Sequence, residues 1–196
     1  MLGVPFVVAP FEAEAQCAYL ESEGLVDGVI TEDSDAFLFG ASTVYRHFFS
    51  SSKHVEVTKA SDIETELGLD RDRLISLALL LGGDYTEGIH GVGIVNAIEI
   101  VLAFPGIHGL SKFKRWLDSF AADAMCGDKA FTHSTEYNEA QRSFFESHAG
   151  YQKRWIANDG FPSREVAGAY LKPHVDRSKK PFSWATPRLD SLARWV

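Results

Sequence analysis

Ala9-Pro10-Phe11-Glu12-Ala13-Glu14-Ala15-Gln16 and, further on, Thr31-Glu32-Asp33-Ser34-Asp35 bring four carboxylates together in two tight pairs, and residues 9–35 decide how the chain is read. A short apolar run precedes each pair: Val4-Pro5-Phe6-Val7-Val8 before Glu12 and Glu14, and Val26-Asp27-Gly28-Val29-Ile30 before Asp33 and Asp35. Both runs have the length and composition of buried parallel strands. The residues between them, rich in Ala, Glu, Gln and Leu from Ala13 to Glu23, favour a helix. Strand, helix, strand predicts a βαβ unit with adjacent parallel strands. Both acidic pairs are then expected at the carboxyl ends of neighbouring strands, where open α/β sheets place their sites. Four carboxylates facing one crevice repel one another unless cations hold them.

Taken singly, each acid has a plainer reading. Glu12 and Glu14 suit the positive end of a helix dipole, and Asp33 with Ser34 suits a turn and cap before Ala36-Phe37-Leu38-Phe39. The pairing at equivalent strand ends favours a hard-cation site of oxygen ligands. Magnesium, or manganese as the alternative, fits better than zinc, because neither pair contains His or Cys.

Composition sets outer limits. Hydrophobic residues make up 45% of the 196, enough for a core, and no apolar run approaches the roughly 18 residues of a membrane span. No basic segment followed by an apolar one marks a secretory signal. Two cysteines, Cys17 and Cys126, are too few for a disulfide framework and point to a reducing compartment. The formal charge of −8 is unfavourable for a nucleic-acid binder. Bound divalent ions would offset part of it, and phosphate contacts are expected from backbone amides or from protein outside these residues. The sequence runs from Met1-Leu2-Gly3 straight into an apolar strand, which suggests a piece of a longer protein.

Further along, Thr43-Val44-Tyr45-Arg46-His47-Phe48-Phe49 and His54-Val55-Glu56-Val57 read as a hairpin. Ser61 with Glu64 forms a capping-box pattern for a helix that stops at Gly68. Asp70 opens an apolar core helix that Gly82-Gly83 ends. Asp84 follows it, then Gly88-Ile89-His90-Gly91-Val92-Gly93 and a new helix near Ile94. Gly88, Gly91 and Gly93 permit unusual backbone geometry and close approach of a phosphate strand. The amides there and at the Ile94 helix start suit an anion. An ordinary helix–helix connection explains the glycines equally well. An acid such as Asp84 at the negative end of a helix is unfavourable and needs a reason. If the turn holds DNA, Asp84 becomes a fifth carboxylate on the same substrate, and two ions could activate water and stabilise the leaving oxygen. Helices are expected around residues 113–117 and 136–148, and residues 121–134 have few anchors. The tail from Phe161 onward, with four prolines, is expected to pack back through its aromatics, with a helix only from Asp190. No nucleophile elbow, Walker loop or histidine ligand spacing competes.

Residues 9–18, Thr31-Glu32-Asp33-Ser34-Asp35 and Leu80-Leu81-Gly82-Gly83-Asp84-Tyr85 closely resemble the internal nuclease region of the XPG / flap endonuclease family. Gly91-Val92-Gly93 resembles that family's helix-two-turn-helix. The similarity runs in order from about Val4 to Phe104. Residues 84–89, Ala169-Tyr170-Leu171-Lys172-Pro173 and Pro181-Phe182-Ser183-Trp184 look most like the nucleotide-excision-repair branch. The resemblance implies an α/β fold: a parallel-sheet, PIN-like or resolvase-like nuclease core in residues 1–82, a helix-two-turn-helix region in 83–120, and a mostly helical C-terminal segment in 121–196. Matched residue by residue, Glu12, Glu14, Asp33, Asp35 and Asp84 take the place of the family's metal-binding carboxylates. Gly88, Ile89, Gly91, Val92 and Gly93 take the place of the duplex-gripping turn.

The implied cofactors are two Mg2+ ions (or Mn2+), with K+ at the helix-two-turn-helix. The implied activity is structure-specific DNA endonuclease cleavage at single-strand/double-strand junctions, with 3′ incision in excision repair. The setting is the nucleus, as a monomer, away from any membrane, beside the transcription-repair helicase complex and other excision-repair factors. Two departures stand out. The family's N-terminal nuclease region, with two further metal-site aspartates, has no counterpart in these residues, and Ile94-Val95-Asn96 lacks the lysine and arginine of flap endonucleases. A non-catalytic junction-binding fragment, and a relative acting on flaps or RNA, are therefore the alternatives.

Overall fold

A computed structural model describes residues 2–51, 54–126 and 136–193, with side chains undescribed at 120–126 and 191–192. The chain divides into two compact units: residues 1–59 with 173–196, and residues 60–172.

In the first unit, α1 (Ala13–Ser22) starts where Glu12 is still extended (φ −77°, ψ 132°) and buries Ala15, Gln16 and Ala18. The small alanines let it lie close on α2 (Asp35–Phe39), which buries all of Ala36, Phe37, Leu38 and Phe39. Helix α2 ends at Gly40, whose φ of +102° suits glycine. Strand β1 (Val29–Ile30) pairs in parallel with β2 (Thr43–Arg46), and β2 pairs antiparallel with β3 (Glu56–Lys59). The hairpin expected of residues 43–57 forms, with its second strand shifted to Glu56–Lys59.

The expected first strand does not form. Residues 2–12 carry no strand, and Val4, Phe6, Val8 and Phe11 are exposed. A strand exists through its neighbour's hydrogen bonds, and β1, at the edge of the order β1-β2-β3, pairs with β2 alone. The parallel crossover therefore runs β1–α2–β2, one step later than the sequence suggested.

The tail returns to this unit through its backbone more than its aromatics. The Asp176 N–H donates to Gln16 Oε1 (2.7 Å), and Gln16 Nε2 donates to the Asp176 carbonyl (3.0 Å). The Ala185 N–H donates to the Gly3 carbonyl at 3.0 Å. Lys179 pairs with Glu23. Trp184 is 75% exposed, contrary to expectation, because backbone hydrogen bonds rather than ring burial seat this stretch.

In the second unit, α3 (Ala60–Leu67) takes Ser61 inside its first turn, bonded to Asp62, so the expected capping box is not made. Gly68 (φ +67°) ends it. Asp70 caps α4 (Arg71–Leu81) as expected, accepting from the Arg73 N–H. Helices α5 (Ile94–Ala103), α6 (Gly106–Cys126) and α7 (Glu139–His148) surround an aromatic core of Phe104, Phe113, Trp116, Phe144, Phe145 and Trp155. Cys126, expected in a loop, lies at the end of α6; of the stretch 121–134, residues 127–134 lie outside the described residues. Helix α7 has a full capping box of Asn138 and Gln141.

Two elements were not foreseen. Strands β4 (Ile89–His90) and β5 (Ile156–Ala157) form an antiparallel ribbon. Helix α8 (Arg164–Leu171), capped by Ser163, buries Ala167 and Tyr170. The closing helix, α9 (Leu189–Leu192), is short, and residues 194–196 of the expected terminal helix lie outside the described residues.

Candidate metal centre and nucleic-acid interface

The two carboxylate pairs belong to the first unit and Asp84 to the second. Glu12 holds the N-cap position of α1 without a side-chain capping bond, and Glu14 lies in its first turn; both are half-buried. Asp33 and Asp35 bracket the start of α2. Asp33 Oδ1 accepts from the Asp35 N–H at 2.9 Å, and Thr31 Oγ1 accepts from the Asp33 N–H at 3.1 Å. The turn that the sequence offered as the plainer reading of Asp33 is therefore present. It still leaves Asp33 Oδ2 outside that bond. Asp84 is exposed beyond the end of α4. Among the described residues, no three carboxylate, thiol or imidazole groups converge into a ligand cluster.

The acids around the candidate ligands differ in their surroundings. Glu21 accepts from the Ser42 N–H and hydroxyl and from the Thr43 N–H, at 2.7–2.8 Å, and so fastens the start of β2 to α1. Glu32, inside the second motif, accepts from the His47 N–H at 2.7 Å, lies 3.2 Å from the His47 ring and 3.9 Å from Arg46. Glu23 has Lys179. Among the described residues, Glu14, Asp33 and Asp84 have no basic side chain within ion-pair distance. Glu21, Glu23 and Glu32 are each matched to a donor, while Asp33 accepts only from the Asp35 N–H. The donor atoms of the candidate ligands are all carboxylate oxygens, the ligand set of a hard divalent cation. The residues present fit Mg2+ or Mn2+.

One electrostatic consequence is visible nearby. Burial pushes the Cys17 thiol up from its ordinary pKa, and the charge of Glu14 adds to the rise.

Gly82 (φ +94°) ends α4, and a small bridge follows in which Gly83 and Thr86 exchange backbone bonds of 2.8 and 3.3 Å. Gly88, at φ +71°, fits against the end of α4: a Cβ there would lie 2.5 Å from Gly82 N and 2.6 Å from Leu81 C. Gly91, at φ +88°, faces the Arg154 carbonyl, 2.8 Å from where a Cβ would stand. Ile89 and Val92 are buried and anchor the turn. Gly93 differs. Its φ is −97°, it caps α5, and a Cβ there would meet nothing within 4 Å. Two of the glycines are thus demanded by the fold, and the third leaves open space at a helix start where amides face outward.

Residues 3–84 match the XPG I-region model. The chain is similar to the XPG / flap endonuclease family. It is 45% identical over 194 residues to the DNA excision repair protein ERCC-5 homolog of Xenopus laevis, a match that covers 98% of this chain and 15% of the relative. The catalytic core of Rad2 in complex with DNA substrate superposes with a TM-score of 0.77 at 39% identity, covering 99% of this chain and 58% of that one. At 29% identity, GEN1 in complex with product DNA, Mg2+ and Mn2+ ions gives 0.59 (95% and 41% covered), and GEN-1 binding with potassium gives 0.58 (96% and 43%). The chain spans 15–18% of the length of the excision-repair relatives.

Proposed function

We propose that these residues are the internal catalytic region of a magnesium-dependent, structure-specific DNA endonuclease that cuts at single-strand/double-strand junctions, on the 3′ side in nucleotide excision repair. The observation that carries the reading is the match of residues 3–84 to the XPG I-region, together with the lack of a basic side chain at ion-pair distance from Glu14, Asp33 and Asp84 among the described residues. Glu12, Glu14, Asp33, Asp35 and Asp84 would hold two divalent ions; bound, these activate the attacking water and stabilise the leaving oxygen. Gly88, Ile89, Gly91, Val92 and Gly93 position the duplex through backbone amides, and K+ at this turn is consistent with the potassium-bound GEN-1 relative. In functional terms residues 1–82 together with Asp84 supply the metal site, and 83–120 the duplex grip. A nuclear setting is supported by the names of the excision-repair relatives, and to it this reading adds a monomer working beside the transcription-repair helicase complex.

A second reading has its own observation. No three ligands converge among the described residues, so these residues without the family's N-terminal nuclease region would bind junctions without cutting. Cleavage of an end-labelled DNA bubble, in magnesium and in chelator, with and without that region added, separates the two. The first reading expects magnesium-dependent cutting, lowered by about 10²-fold or more in Glu14→Ala and Asp84→Ala with duplex binding kept. Undiminished cutting by both variants would refute the metal-site assignment.

A further inference from the structure

The sequence posed a problem: no lysine or arginine follows the glycine turn, and the chain is acidic overall. The ribbon of β4 and β5 answers it from sixty residues away in sequence. Ile89 pairs with Ala157 and His90 with Ile156. Continued by one step, that register sets Gly91 opposite Trp155, and the Arg154 carbonyl lies against Gly91. Continued the other way, it sets Glu87 toward Asp159. The ribbon therefore sorts charge, with acids at the end nearer Asp84 and Lys153 and Arg154 at the end that carries the glycine turn.

The basic end is rigidly built. The Tyr151 N–H donates to the His148 carbonyl (2.9 Å), and the Arg154 N–H to the Tyr151 carbonyl (2.8 Å). Trp155 is 3% exposed, touches the Gly91 position and stacks on Tyr151, with centroids 5.5 Å apart. The Arg154 guanidinium lies 5.9 Å over the Tyr151 ring. Lys153 and Arg154 are exposed. A guanidinium resting on an aromatic face is weakly hydrated and already ordered, which lowers the cost of meeting a phosphate.

We propose that residues 151–156 form a second phosphate-contacting element, in which Arg154 and Lys153 take backbone phosphates of duplex DNA beside those met by residues 91–93. The proposal rests on the duplex-binding reading above. The tertiary structure thus supplies the cations that the sequence lacks after the glycine turn. Contacts of this kind position a duplex without reading its sequence.

The test is fluorescence anisotropy of a labelled blunt duplex, titrated with the 196-residue chain in chelator over a series of KCl concentrations. Each lost phosphate contact lowers the slope of log K against log salt by about 0.9, so Lys153→Gln with Arg154→Gln should lower it by about 2. Arg154→Lys should keep most of the slope, and melting temperatures should stay unchanged because both side chains are exposed. A double variant with the wild-type slope overturns this element and leaves the glycine-turn reading standing. Absence of salt-dependent duplex binding by the wild type overturns both.

Discussion

At the scale of single residues, the glycines of the turn divide by what surrounds them. Gly88 combines a positive φ with a Cβ position 2.5 Å from backbone, so Gly88→Ala must move the end of α4. It should cost about 1–3 kcal/mol in denaturant unfolding. Gly93 is extended and open, so Gly93→Ala should cost under about 1 kcal/mol, the ordinary loss at an N-cap. The two variants should part further in duplex binding. Gly93→Ala is expected to weaken anisotropy-measured affinity while keeping fold, since its methyl fills the space left at the helix start. Equal affinity to wild type would show that no phosphate comes that close. Cys17 offers a second test. Its thiol pKa is raised by burial first and by Glu14 second. Removing that charge with Glu14→Gln makes the thiolate easier to form, so alkylation of Cys17 near pH 8, followed by peptide mass, should speed up. An unchanged rate would leave burial as the whole cause.

At the scale of elements, the first unit depends on a clamp between two segments far apart in sequence. Gln16 is 3% exposed, and its amide both donates to and accepts from the backbone of Asp176. Truncation removes both hydrogen bonds, each worth about 0.5–1.5 kcal/mol net, and leaves the exposed Asp176 backbone to water. Gln16→Ala should therefore lower stability by the sum of the two and speed hydrogen exchange at the Asp176 amide. Exchange as slow as in wild type would mean that other contacts seat the tail. Helix α1 thus has two faces with separate duties. Glu12 and Glu14 stand at its start, while Ala15, Gln16 and Ala18 hold it to α2 and the tail.

At the scale of the whole molecule, the residues before α1 show an apolar surface. Phe6 is 84% exposed, Val8 75% and Phe11 74%, in a run the composition marks as a core strand. Exposed apolar side chains of this kind take up apolar probes. The 196-residue chain should bind an apolar dye such as ANS, and Phe6→Ser with Val8→Ser should reduce the signal without lowering the melting temperature. Signal retained in that variant would place the exposed surface elsewhere.

Much of this protein was written in its local sequence. The two acidic pairs, Asp84 after an apolar helix, the Asp70 cap and the glycine stops at Gly68 and Gly82 were legible because each depends on neighbours within a few residues. The family resemblance followed from the same stretches, which residues 3–84 match. What the sequence could not settle depended on distant partners. The apolar run of residues 4–8 reads as a strand, yet has no ladder neighbour among the described residues. The two-residue strand at Ile156 has too short a period to notice, yet it pairs with Ile89–His90 and carries Arg154 to the glycine turn. Propensity and capping are local free energies and show in the order of residues; strand pairing, and the bringing of Arg154 to Gly91, are set by which backbone groups find partners when the chain folds.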